Sequence, residues 1–175
     1  MKAARAAFTF VTLKYMINIK ILCVGKLKER FYTEAANEYL KRLSAYCKLE
    51  VIDIPEYRLP ADPSDTQISI ALEKESAIIK SNITSGTYSV VLCIEGREID
   101  SVAFSDMIAD CAVRGVSRIC FILGGSFGLH DTIKNTANLK LSLSKMTFPH
   151  NLARVILLEQ LYRGFTIAEG GKYHK

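Results

Sequence analysis

Five short runs rich in Ile, Val and Leu punctuate this chain, and each is separated from the next by a stretch long enough to cross back over a sheet. Ile19 to Val24, Leu49 to Ile54, Ser89 to Ile94, Arg118 to Leu123 and Leu139 to Ser144 have the length and composition of strands. Glu29 to Tyr46 carries apolar residues at helical spacing, and Ser64 with Asp65 can cap a helix running to about Ser81. Val102 to Arg114 reads as a helix closed by Gly115, and His130 to Thr136 as a short one. Pro149 opens the last helix, where a missing N–H does no harm. Strands alternating with helices need crossover connections, so the pattern predicts an α/β fold, a mostly parallel sheet with helices on both faces.

Pro55, Pro60 and Pro63 mark an irregular connection within that fold and not a linker, since 175 residues make one domain. The expected boundaries are a single domain over residues 16–175, preceded by an upstream extension or disordered arm at 1–15. Ala6 to Leu13 resembles the apolar part of a signal peptide, but Lys14, Tyr15 and Met16 stand where small cleavage-site residues belong. No uncharged apolar stretch approaches the ~20 residues of a membrane-spanning helix. Five cysteines, odd in number and without a C-x-x-C pair, point away from a disulfide framework or a zinc site and toward a reducing cytoplasm.

Charge is unevenly placed. The chain holds 23 Lys and Arg against 18 Asp and Glu, a net of +5. Lys2, Arg5 and Lys14 account for three of those charges, leaving residues 16–175 at +2. Within that stretch residues 134–175 carry +5 and residues 16–133 carry −3. A basic C-terminal segment on a near-neutral body suits a phosphate-backbone partner, because paired phosphates release condensed counterions; a solvated surface without a partner explains the charge equally well.

Gly124-Gly-Ser-Phe-Gly128 lies after a strand and before a helix, a place where backbone N–H groups can cradle an anion. The loop lacks the Gly-Lys-Ser/Thr of a triphosphate site. Ser144 stands where a dinucleotide fold would place a ribose-binding acid, and Asp131 would meet a phosphate with like charge. Taken alone, the glycines read as a sharp turn.

In combination with four other segments they say more. Ile19 to Leu27 (IKILCVGKL), Ile122 to Leu129 (ILGGSFGL), Leu141 to Arg154 (LSLSKMTFPHNLAR), Leu158 to Arg163 (LEQLYR) and the terminal Tyr173-His174-Lys175 are each weak alone and jointly specific. Together, over residues 16–175, they closely resemble the ribosomal large-subunit pseudouridine methyltransferase family of the SPOUT class.

The resemblance implies methylation of N3 of a pseudouridine in 23S ribosomal RNA, with S-adenosylmethionine as donor and the assembled ribosome as substrate. It implies a homodimer, no metal, and a C-terminal trefoil knot that no pattern argument reaches, knots being essentially absent a priori. The donor pocket would take Leu92, Gly124, Leu143, Ser144, Lys145, Met146, Thr147 and Phe148, which follow three strands. Open α/β sheets bind ligands at such carboxyl ends. RNA contacts would fall on His150 and Arg154, four apart on one helix face, and on Tyr173, His174 and Lys175. No general base is assigned. The bland readings are a polar strand face for Ser142 and Ser144, a solvated pair for His150 and Arg154, and a frayed terminus for the last triplet. Val155 to Leu158 is apolar in every helical direction, so it needs burial on more than one side, which a second copy would supply.

Two other functions compete. A Rossmann-like nucleotide-binding oxidoreductase lacks its fingerprint acid and glycine spacing here. A non-catalytic ribosome-binding module would keep the basic segment, but the intact 143–148 stretch argues for turnover.

Overall fold

The computed structural model describes residues 17–170. Five strands form one sheet: β1 (Asn18–Val24), β2 (Lys48–Ile54), β3 (Tyr88–Glu98), β4 (Arg118–Leu123) and β5 (Leu139–Ser142), in the spatial order β2-β1-β4-β3-β5. All four pairings are parallel. The connections are α1 (Arg30–Leu43), α2 (Asp65–Ser81), α3 (Ser101–Val113) and α4 (Asp131–Thr136), and α5 (His150–Ala168) follows β5.

Alternation along the strands divides the core. Ile19, Ile21 and Cys23 of β1 join Ile119, Phe121 and Leu123 of β4 under α1, α3 and α5. Leu22 and Val24, with Cys120 and Ile122, face the other way toward α2 and α4. Both layers are apolar, as a parallel sheet requires, and the expected helices on both faces are present.

The local signals hold where they are chemically specific. Ser64 caps α2 in a reciprocal box with Gln67, and Asp100 caps α3 by accepting the Ala103 N–H at 2.7 Å. Gly115 takes φ +77° after α3, while the Val116 N–H reaches back to the Cys111 carbonyl at 2.8 Å.

Several boundaries differ from expectation: α1 ends at Leu43, short of Tyr46, and α3 starts at Ser101, behind its Asp100 cap. β3 continues past Ile94 to Glu98, because Leu92 and Arg97 both pair with Leu141 and residues 93–96 bulge out between them. β5 stops at Ser142, since its hydroxyl and that of Ser144 bond the loop backbone and no neighbouring strand extends that far. Pro149 is the cap of α5 with extended ψ of 138°, and the first helical residue is His150.

α5 runs between α1 and α3. Leu157, Leu158 and Leu161 are fully buried, while Val155 and Ile156 stay half-buried. The chain's own helices therefore supply much of the burial that the apolar turn demanded.

Candidate active site

The bulge within β3 and the carboxyl ends of β4 and β5 together shape one cavity. The bulge at 93–96 follows Leu92, the turn at 124–128 follows Leu123, and the loop at 143–149 follows Ser142. The turn is closed by the Gly128 N–H donating to the Gly125 carbonyl at 3.0 Å. It is so tight that a Cβ on Gly124 would overlap the Gly128 carbonyl. Only glycine fits there. The loop is drawn together by its own serines: Ser142 Oγ donates to the Ser144 carbonyl at 2.9 Å, and Ser144 Oγ accepts the Met146 N–H at 3.0 Å. The polar-strand reading of these two residues gives way to a loop-building role.

The cleft is open to solvent on one side and has a volume of about 840 Å³, within the range of small-molecule and cofactor sites. Its walls are mostly apolar side chains and backbone: Leu92, Leu123, Leu129, Leu143, Phe148 and Ala153 among them. Charge is confined to Glu95 and Lys134, paired at 2.8 Å, with Lys134 also 3.1 Å from Asp131. The hydrogen bond from Lys134 holds the Glu95 carboxyl below its ordinary value, and the same bond raises the Lys134 ammonium. Such a site suits a flat, largely uncharged heterocycle held by main-chain groups.

Of the eight expected donor-pocket residues, Leu92, Gly124, Leu143, Ser144, Met146, Thr147 and Phe148 line this cavity. Lys145 is exposed and stays off its wall. His150 lines it from the start of α5, but Arg154, one turn on, is placed differently. Its guanidinium bonds Asp53 at 2.8 Å across the end of β2, with 11% of the side chain exposed and Nε without a partner among the described residues. Tyr173, His174 and Lys175 lie outside the described residues. Sequence reasoning missed Glu95 and Lys134, which have no motif of their own and enter the site only through the bulge and the short helix, and it quoted Phe127 within the glycine turn without assigning it to the site.

Among the described residues no His, Cys, Asp and Glu group could hold a metal ion. Burial pushes the Cys23 and Cys120 thiols up to about 12, and Cys93, which borders the cavity, is also raised by burial. None is prepared as a thiolate nucleophile near neutral pH. No helix among the described residues is long and apolar enough to cross a membrane.

A family model described as "predicted SPOUT methyltransferase" matches residues 17–174, which contain the whole sheet and every wall of the cavity. This chain belongs to the SPOUT methyltransferase family, α/β enzymes that transfer a methyl group. A solved structure of a probable methylase family protein from Haemophilus influenzae shares the fold at a TM-score of 0.51 and 12% identity, covering 92% of this chain and 71% of that one.

Closer in sequence are proteins named ribosomal RNA large subunit methyltransferase H. One from Clostridium botulinum (strain Kyoto / Type A2) is 46% identical over 159 residues, 91% of this chain and all of that one. One from Leuconostoc mesenteroides is 45% identical over the same coverage. A relative from Methanococcus vannielii at 47% carries the same name marked as putative, again over 91% of this chain and all of that one.

Proposed function

We propose that this enzyme methylates N3 of a pseudouridine in 23S ribosomal RNA on the assembled ribosome, using S-adenosylmethionine, as a cytoplasmic homodimer. The observation that carries the reading is the meeting of Leu92, at the bulge within β3, with Gly124 and Met146, which follow β4 and β5, on one cavity of about 840 Å³. The ribosomal substrate is supported by the names of the relatives and by the net +5 of residues 134–175.

The walls fit the donor. A neutral adenine needs apolar faces and main-chain hydrogen bonds, which the Leu-rich lining and the Gly124 backbone offer. When bound, S-adenosylmethionine supplies an electrophilic methyl group on a sulfonium. The chain's own part is to align and to exclude water. The serine-tied loop would close over the ligand, and the Gly124 backbone would approach it closely because no side chain intervenes. His150, at the cavity wall, and the tail triplet Tyr173-His174-Lys175 would face the RNA. The trefoil knot of the family would thread the C-terminal segment through this region. A second copy would cover the half-buried outer side of α5, and sedimentation at micromolar protein distinguishes two chains from one.

The test is mass spectrometry of 23S ribosomal RNA after incubating unmethylated ribosomes with the enzyme and S-adenosylmethionine. The expected result is one added methyl on a pseudouridine. Methylation of another nucleotide, or none, overturns the reading.

A further inference from the structure

Beside the large cavity is a second one of about 350 Å³, on the other side of the turn at 125–127, which borders both. Glu56, Tyr57 and Arg58 form one wall, Glu75 of α2 another, and Ser126 and Phe127 the side shared with the large cavity.

The far wall is pinned in place. Glu75, 7% exposed, accepts the Tyr57 N–H at 2.9 Å, while Lys74 sits 4.4 Å from the centre of the Tyr57 ring and donates to its hydroxyl at 3.1 Å. Glu56 is different: its carboxylate has no hydrogen-bond or ion-pair partner among the described residues. It lines the smaller cavity, beside the Gly125 turn that borders both. One oxygen is 3.5 Å from the place a Cβ on Gly125 would occupy, and the other is 3.9 Å from that place on Gly25. His150 Nε2, on the wall of the large cavity, comes within 3.6 Å of the same point over Gly25. A side chain there would fill the gap between Glu56 and His150. Phe127, 48% exposed, presents an apolar ring at both cavities.

We propose that the smaller cavity receives the acceptor nucleotide, its base against Phe127 and its imide edge on Glu56. The proposal rests on the reading that the large cavity holds the methyl donor. The volume suits one nucleotide. A base buried in RNA is reached by swinging it out into a pocket, where an aromatic face replaces lost stacking. An imide edge offers one N–H donor between two carbonyl acceptors, and an ionised carboxylate can accept that N–H. Two carboxylates, Glu56 and Glu75, make the interior hostile to phosphate, so the base enters while Arg58 meets the backbone. As the N3–CH3 bond forms, the S–CH3 bond breaks with its electron pair left on sulfur. The N3 proton passes to Glu56, so nitrogen and sulfur both end neutral and the carboxylate ends as the acid.

The experiment compares the wild-type enzyme with Glu56→Gln, Phe127→Ala and Phe127→Trp on unmethylated ribosomes at saturating S-adenosylmethionine, with donor affinity read separately by calorimetry. Donor affinity should stay within about twofold in Glu56→Gln, whose carboxylate lines only the smaller cavity; Phe127 borders both cavities, so its variants are read by their KM for ribosomes at saturating donor. Glu56→Gln should lower kcat by about 100-fold or more. Phe127→Ala should raise KM for ribosomes by roughly 5- to 100-fold, with Phe127→Trp restoring most of it. Wild-type rates and KM in Glu56→Gln and Phe127→Ala, or a large loss of donor affinity in Glu56→Gln, overturn the acceptor pocket while leaving the donor reading intact. A wild-type enzyme that transfers no methyl to ribosomal RNA overturns that reading and the pocket with it.

Discussion

At the scale of single residues, Arg154 shows how far a side chain's role depends on what lies across the fold. Its spacing from His150 suggested a shared RNA-facing surface, yet its guanidinium is turned to Asp53, 101 residues away in sequence. No local pattern carries that pairing. Removing Asp53 would leave a mostly buried cation without its counterion, so Asp53→Ala should destabilise the protein by about 2–3 kcal/mol in urea unfolding. An unchanged midpoint would mean that the ion pair contributes nothing net.

The Glu95–Lys134 pair gives a prediction in pH. Glu95 is held below its ordinary 4.5, so its stabilisation is full above that value and is lost as pH falls through the lowered folded value. Lys134 is raised above 10.5, so its contribution is full below that and lost as pH rises through the raised one. The pair is therefore intact between about pH 5 and 10. Lys134→Met should move the acid unfolding midpoint to higher pH, because Glu95 loses the partner that keeps it ionised. Acid titration of the variant checks the sign, and a midpoint at or below the wild-type value would contradict it.

At the scale of elements, the strands were legible because a buried parallel sheet forces runs of Ile, Val and Leu, and two helix ends because Ser64 and Gly115 act through their own chemistry. The bulge at 93–96 was not, since it arises only when β3 is laid against β5. The expected pocket residues after β4 and β5 came together because parallel strands put their ends on one edge, and Leu92 joins them at the bulge that interrupts β3. Lys145 fell outside because the serine-bonded loop directs its neighbours inward and leaves it in solvent.

The turn and loop are also where substitution should be felt most. Gly124→Ala forces a Cβ into the Gly128 carbonyl, so the turn must open. Donor affinity should fall at least about tenfold, with a smaller change in thermal midpoint, because the turn is at the surface and the strands beneath it remain packed. Calorimetry alongside thermal unfolding separates the two effects. Equal donor affinity in the variant would remove Gly124 from the site.

At the scale of the whole molecule, one edge of the sheet carries all the proposed chemistry. The larger cavity lies over β3, β4 and β5, the smaller at the end of β2, and the turn after β4 stands between them. The face with α1, α3 and α5 supplies the larger core, and the opposite face the smaller one. The rigid sheet thus holds loops that would bind two reactants at fixed separation, which is what an in-line methyl transfer needs. The resemblance seen in sequence was carried in part by these loops, at 122–129 and 141–154, and in part by β1, the last helix and the terminal triplet.

The central claim is that the donor sits where the bulge within β3 meets the ends of β4 and β5. Ultraviolet crosslinking of methyl-tritiated S-adenosylmethionine to the intact protein, followed by peptide mapping, tests it directly. Label is expected in peptides spanning 92–96, 123–129 and 142–150, competed away by unlabelled donor. Competable label confined to peptides elsewhere, such as 55–75, would contradict it.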